Sequence, residues 1–322
     1  MDAAAPPAAL RRTRRLGDRF GDRALQALTA AAALMAMLII AAIVWKVVEG
    51  AWPAITHFGL GFVWDGTWNP VTGVFGARWF IVGTLVTSFG ALLLAAPLSI
   101  AIGLFLSELA PPVVRGPIGA LVEMLAAVPS VVIGLWGIFV LGPFMRAHIE
   151  PFLNHHFGWI PLFSGTPEQA GVIVAIVVLT IMMIPITSSI CRELFVSVPR
   201  DVKEASIGLG ATRWEMVRGV VLPYVRGGVV AAITLGLGRA LGEAIAVTQV
   251  IGNSLRPLGI SLFGQGNTLA SQLAGSYQSA PTQIELQSLV YLGLILLVIT
   301  FASNAVARRI VLRFELNRGV GR

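Results

Sequence analysis

Apolar residues occur along this chain in long uninterrupted blocks, not in the alternation of a half-buried strand or the narrow stripe of a surface helix. Crossing a bilayer takes about 20 predominantly apolar residues, and six blocks qualify, at roughly 26–48, 80–107, 118–142, 170–190, 227–251 and 285–307. Backbone groups in hydrocarbon have no water to bond to, and an α-helix satisfies them within one segment. The pattern therefore predicts an all-α fold, a polytopic bundle of six transmembrane helices. Pro97, Pro129 and Pro185 fall inside three of the blocks, where kinks are expected. The first block is too long for the core of a signal peptide and no small-residue cleavage site stands out, so it reads as a retained membrane helix.

Composition strengthens this picture. Of 322 residues, 56% are hydrophobic and 12% charged, against about 25% charged in a soluble domain. One helical bundle in lipid is a simpler reading than two water-soluble domains. The net charge of +7 would fit a nucleic-acid partner, but its distribution excludes one. With the N-terminus inside, Arg11, Arg12, Arg14, Arg15, Arg19 and Arg23, then Arg115, then Arg192, Arg200, Lys203, Arg213, Arg218 and Arg226, and finally Arg308, Arg309, Arg313, Arg318 and Arg322 all lie on the cytoplasmic side. Only Lys46, Arg78, Arg146 and Arg256 lie outside, and Arg239 is within a span. The positive-inside rule then predicts a multi-pass membrane protein with both termini cytoplasmic and the basic residues facing anionic lipid.

The predicted external loops are long. Residues 49–79 are rich in Trp, Phe and Gly, which suits the membrane–water interface. Residues 143–169 carry His148, His155 and His156 without the spacing of a metal site, and read as a solvated loop. Cys191, the one cysteine, excludes an intrachain disulfide and a cysteine metal site and reads as a packed bystander.

The fifth block carries the chemistry. It reads Gly236-Leu237-Gly238-Arg239-Ala240-Leu241-Gly242-Glu243. A charge at mid-span costs about 2.5–3.5 kcal/mol on insertion scales and usually marks an ion or substrate path. In a continuous helix Arg239 and Glu243 share one face and can pair. One reading is a buried ion pair that fixes helix register. The other gives Arg239 to a passing oxyanion, since a guanidinium forks onto phosphate or carboxylate oxygens, while Glu243 holds Arg239 between passages. The glycines allow close helix approach. They also mimic a dinucleotide fingerprint, but no strand precedes them and they lie mid-span. Glu123 is a second acid near an inner span end, expected to snorkel to the interface.

Between the fourth and fifth blocks lies Glu204-Ala205-Ser206-Ile207-Gly208-Leu209-Gly210, followed by Val220-Val221-Leu222-Pro223. This resembles the EAA loop of ABC-transporter permeases, with Ser206 at the second alanine and Val220 at the isoleucine of that pattern. The alternative, an amphipathic helix lying on the membrane, is opposed by Asp201, Glu204 and Glu215, which dilute a basic face. Further stretches narrow the resemblance: residues 68–73 with Phe75-Gly76, residues 126–137, residues 210–215 and residues 236–247. Together they are similar to the PstC-type permease subunits of bacterial phosphate ABC importers, over residues from about 60 to 310.

The resemblance implies a type I importer permease: a basic N-terminal segment (1–25), a first helix with its external loop (26–79), a permease core (80–308) holding a coupling loop at about 192–226, and a cytoplasmic tail (309–322). It implies that Arg239 and Glu243 serve inorganic phosphate passage, and that Glu204, Ala205, Ser206, Gly210, Leu222 and Pro223 form the ATPase coupling element. Gly210 would permit a tight turn where a Cβ would clash, and Pro223 would end the loop before the fifth span. Implied partners are a PstA-type second permease, two copies of a PstB-type ATPase and an external PstS-type phosphate-binding protein. No Gly-x-x-x-x-Gly-Lys-Ser/Thr loop is present, so ATP and Mg belong to the ATPase, and this chain is expected to bind no cofactor and catalyse nothing. Three other readings stay open: a permease for sulfate or molybdate, an ion-coupled secondary transporter, and a non-transporting scaffold or sensor subunit.

Overall fold

The computed structural model describes residues 16–319. Most of the N-terminal arginines, Arg11, Arg12, Arg14 and Arg15, and Arg322 of the tail lie outside the described residues. The chain divides into two units, one ending at Glu49 and the other running from Gly50. The helices are α1 (Leu16–Phe58), α2 (Gly61–Trp64), α3 (Arg78–Leu109), α4 (Pro112–Ala126), α5 (Ser130–Phe157), α6 (Val172–Val196), α7 (Arg200–Gly208), α8 (Arg213–Gly242), α9 (Ile245–Val250), α10 (Leu269–Ser276) and α11 (Gln283–Gly319). Among the described residues six helices are long and apolar enough to cross a membrane, namely α1, α3, α5, α6, α8 and α11. The protein is an all-α, multi-pass membrane protein.

Two spans differ from their sequence-based positions. The block at 118–142 is not one helix. α4 ends at Ala126, and Pro129, with extended ψ of 139°, caps the start of α5. A proline pushes the residue before it out of helical geometry and brings no N–H of its own, so the spanning helix starts at Ser130. At its far end α5 runs on to Phe157, so the predicted loop at 143–169 is largely helix and His148, His155 and His156 are helical. The block at 227–251 is interrupted too: α8 begins at Arg213 and stops at Gly242.

Prolines explain the irregular turns inside these helices. π turns occupy Gly137–Leu141, Met145–Ile149 and Val217–Val221, and each is followed two residues later by a proline: Pro143, Pro151 and Pro223. At each, an N–H bonds five residues back: Gly142 to Gly137, Glu150 to Met145, and Leu222 to Val217. The widened turn skips a carbonyl where the proline supplies no donor and its ring would strike the turn below. Pro223 therefore does not end the loop, as expected from sequence; it sits inside the continuous helix α8.

α6 is the central helix of the second unit, with 67% of its apolar window buried against at most 33% in the other spans. Val174, Val178, Leu179, Met182 and Met183 pack against Ala91 and Ala95 of α3 and Val247 and Val250 of α9. A second cluster sets Ala51 and Ala54 against Tyr291 and Leu292 of α11, with Phe62, Trp68, Phe75 and Phe80. Trp68–Asn69 and Val74–Phe75 form a two-stranded antiparallel hairpin, β1–β2, whose turn closes on the Asn69 side chain and on Gly73 at φ +70°. A third cluster joins Cys191, Phe195 and Val198 to Met216, Val217, Val221 and Val225, binding the start of α8 to the end of α6.

α8 and α6 approach closely at Gly236, where a Cβ would lie 2.7 Å from Thr187 Oγ1 and 3.1 Å from Met183 Cε, whereas a Cβ at Gly242 would meet nothing. Gly236→Val is expected to destabilise the protein by about 1–3 kcal/mol through overpacking, read as a lower unfolding temperature in detergent. Gly242→Ala should leave that temperature nearly unchanged.

Candidate functional site

Gly236 packs at the level of Thr187 and Met183, midway along α6. Arg239, one turn further, is therefore at mid-depth of the bundle. Its side chain is on the exposed face of α8, in a row with Ala231, Leu235 and Gly242. It has no hydrogen-bond or ion-pair partner among the described residues. An unpaired guanidinium at that depth costs about 2.5–3.5 kcal/mol against lipid on insertion scales.

The expected Arg239–Glu243 pair on one helix face does not form. Glu243 has left the helix, with ψ at 112°, and α9 starts two residues later. Its carboxylate instead accepts, at 3.4 Å, from the Ala246 N–H in the first turn of α9. Arg239 lies in the last turn of α8. Each charge thus complements a helix end: the cation the negative C-terminus, the anion the positive N-terminus. Such interactions contribute about 0.3–1 kcal/mol each, against about 0.2–0.5 kcal/mol for one i,i+4 pair, so breaking the helix costs the two charges nothing relative to pairing. Irregular backbone at this depth is tolerated where it is buried in protein or lines a cavity. One face of α9 is buried, through Ala246, Val247 and Val250; Val250, with Val178 of α6, crowds Gly137 of α5, where a Cβ would lie 2.7 and 3.0 Å from them.

The second group of sequence-predicted residues divides in two. Glu204 and Ala205 are exposed on α7 and Ser206 is half-buried there. Gly210 follows with φ +92°, in the left-handed region that disfavours side chains. A Cβ there would meet nothing within 4 Å. The glycine is thus needed for its dihedral, not to avoid the clash expected from sequence. Leu222 packs on the third apolar cluster and Pro223 is exposed on α8, so both belong to the span and not to the exposed turn. Sequence reasoning missed the device that fixes the turn after Gly210. Thr212 Oγ1 accepts from the Glu215 N–H, and the Glu215 carboxylate accepts from the Thr212 N–H at 2.8 Å. The signal was present as Thr-x-x-Glu before an apolar run. Leu209 and Trp214 stand exposed on either side, at 91% and 64%. Glu123, on α4, pairs with Arg192 at 3.3 Å.

Residues 99–316 match the family described as binding-protein-dependent transport system inner membrane component. The chain belongs to this family. Among the permease's relatives, the phosphate transport system permease protein PstC of Pasteurella multocida is 43% identical over 311 residues, 95% of this chain and 97% of the relative. PstC of Mesorhizobium japonicum is 42% identical over 92% of each. A solved chain of a bacterial alginate ABC transporter, in complex with a periplasmic protein bound to an alginate pentasaccharide, superposes with a TM-score of 0.58 at 16% identity, over 91% of this permease and 98% of that chain. That likeness is one of fold.

The cause assigned to Gly210 is testable. Gly210→Val is expected to cost about 1–2 kcal/mol of local stability because the left-handed region is closed to it, seen as faster amide exchange in α7 and at Thr212–Met216. Gly210→Asn, which tolerates that region, should change exchange much less, since there is room for its side chain.

Proposed function

We propose that this permease forms half of the translocation path of an ATP-driven importer of inorganic phosphate. The observation that carries the reading is Arg239, a guanidinium without an internal partner, at mid-depth on an exposed helix face beside a helix break. The high identity to PstC proteins along nearly the whole chain supports phosphate as the substrate. A PstA-type subunit covers the Arg239 face and completes the path. Two PstB-type ATPases, using ATP and Mg, dock at the exposed turn formed by Glu204, Ala205, Ser206 and Gly210, and a PstS-type protein delivers phosphate from outside. Both termini are cytoplasmic, which puts that turn on the ATPase side.

Chemically, Arg239 offers a phosphate charge-assisted hydrogen bonds. Glu243 at the break supplies the opposing charge that prevents trapping, since conduction needs binding that is favourable and also reversible. ATP binding closes the ATPase pair, the α7 turn moves with it, and the path opens outward to receive phosphate; hydrolysis resets it.

The test is ATP-dependent uptake of radiolabelled phosphate by vesicles holding the whole complex. Arg239→Gln is expected to lower uptake roughly tenfold to a hundredfold, the worth of a hydrogen bond to a charged group, about 1.5–3 kcal/mol, with assembly intact. Uptake at the native rate would make Arg239 structural. Competition by sulfate as strong as by unlabelled phosphate would overturn the substrate.

A further inference from the structure

The exposed turn is held to the membrane helices by one buried ion pair. Lys203, on the inward side of α7, places its ammonium 2.6 Å from a carboxylate oxygen of Glu108, at the end of α3. The two side chains are only 14% and 10% exposed. The same ammonium also donates to the Phe195 carbonyl of α6 at 2.9 Å. Lys203 therefore gathers three elements: the coupling helix, the end of α3 and the end of α6.

The surroundings make this contact mechanical as well as stabilising. Glu108 lies in a π turn, Phe105–Leu109, closed by the Ala110 N–H on the Phe105 carbonyl. Like the other π turns, it precedes a proline by two residues, here Pro111. α3 packs along α6 and against α8, the helix that bears Arg239. The Cys191–Phe195–Val225 cluster joins the other end of the loop to the start of α8 through apolar contacts. A shallow charged contact would be screened and worth little. A largely covered pair is screened much less and so holds its geometry better.

We infer that Lys203 is a positioning residue, and that the Lys203–Glu108 pair passes displacement of the coupling helix to α3, and thereby to the helix that carries Arg239. The inference rests on the reading of α7 as the ATPase-docking helix. In its absence α7 would still dock and the ATPase would still turn over, but α3 would lag, so that ATP is consumed without transport.

The experiment measures phosphate moved per ATP hydrolysed by the complete complex in proteoliposomes. ATP-driven uptake by the native complex tests the functional reading by itself; the ratio of variant to native tests the pair. Lys203→Met is expected to lower phosphate per ATP about fivefold or more, the size of a coupling between contacting residues, with ATPase activity and assembly retained. Lys203→Arg, which can still donate to both the Glu108 carboxylate and the Phe195 carbonyl, should keep the native ratio. Should Lys203→Met fail to assemble, Glu108→Gln, which keeps shape and removes charge, is expected to show the same loss. A native ratio in the neutral variants overturns the inference. So does an equal fall in uptake and ATPase activity.

Discussion

Hydrocarbon offers a peptide group no hydrogen-bond partner, and most of this structure follows from that constraint. Each polar backbone group must be satisfied within its helix, and each departure from a helix must be covered by protein. The prolines show how narrowly this is met. Pro143, Pro151 and Pro223 are each absorbed by a π turn just before them, so α5 and α8 run through as continuous helices. Pro129, with Val128 before it, has no such turn and divides α4 from α5.

The same constraint gives meaning to the two places where regularity is abandoned. At Glu243 the helix stops within the apolar layer, and both charges of the motif settle on helix ends. This leaves Arg239 without a partner among the described residues, whereas an i,i+4 pair would have engaged it. At Gly210 the chain reverses outside the layer, where only the dihedral matters, and the Thr212–Glu215 capping box stiffens the exit. The helix break and the exposed turn thus differ in construction: one is an open charge in a packed frame, the other a capped turn with exposed apolar side chains.

Much of the architecture was legible in the sequence. Six blocks of adequate length correspond to six helices able to span, because hydrophobicity over about 20 residues is a strong signal. The failures have a common cause. Hydropathy averages over the residues that end helices, so it merged Pro129 into one block and carried the fifth block past Gly242. Periodicity alone then placed Arg239 and Glu243 on a shared face. Nothing local marks Glu243 as non-helical; its break depends on α9 packing against α5 and α6, which is tertiary information. Lys203 and Glu108 are 95 residues apart, and no single-sequence pattern joins them.

The central claim is that the face of α8 bearing Arg239 borders an aqueous path or another subunit and not lipid. The direct measurement is thiol accessibility in native membranes holding the whole complex. Cysteines would be introduced by Ala231→Cys, Leu235→Cys and Gly242→Cys, with the buried Cys191 replaced by Ala. A water-soluble, membrane-impermeant maleimide is expected to label the positions flanking Arg239, and phosphate to slow that labelling. Labelling of the whole row only by probes that partition into lipid would contradict the claim.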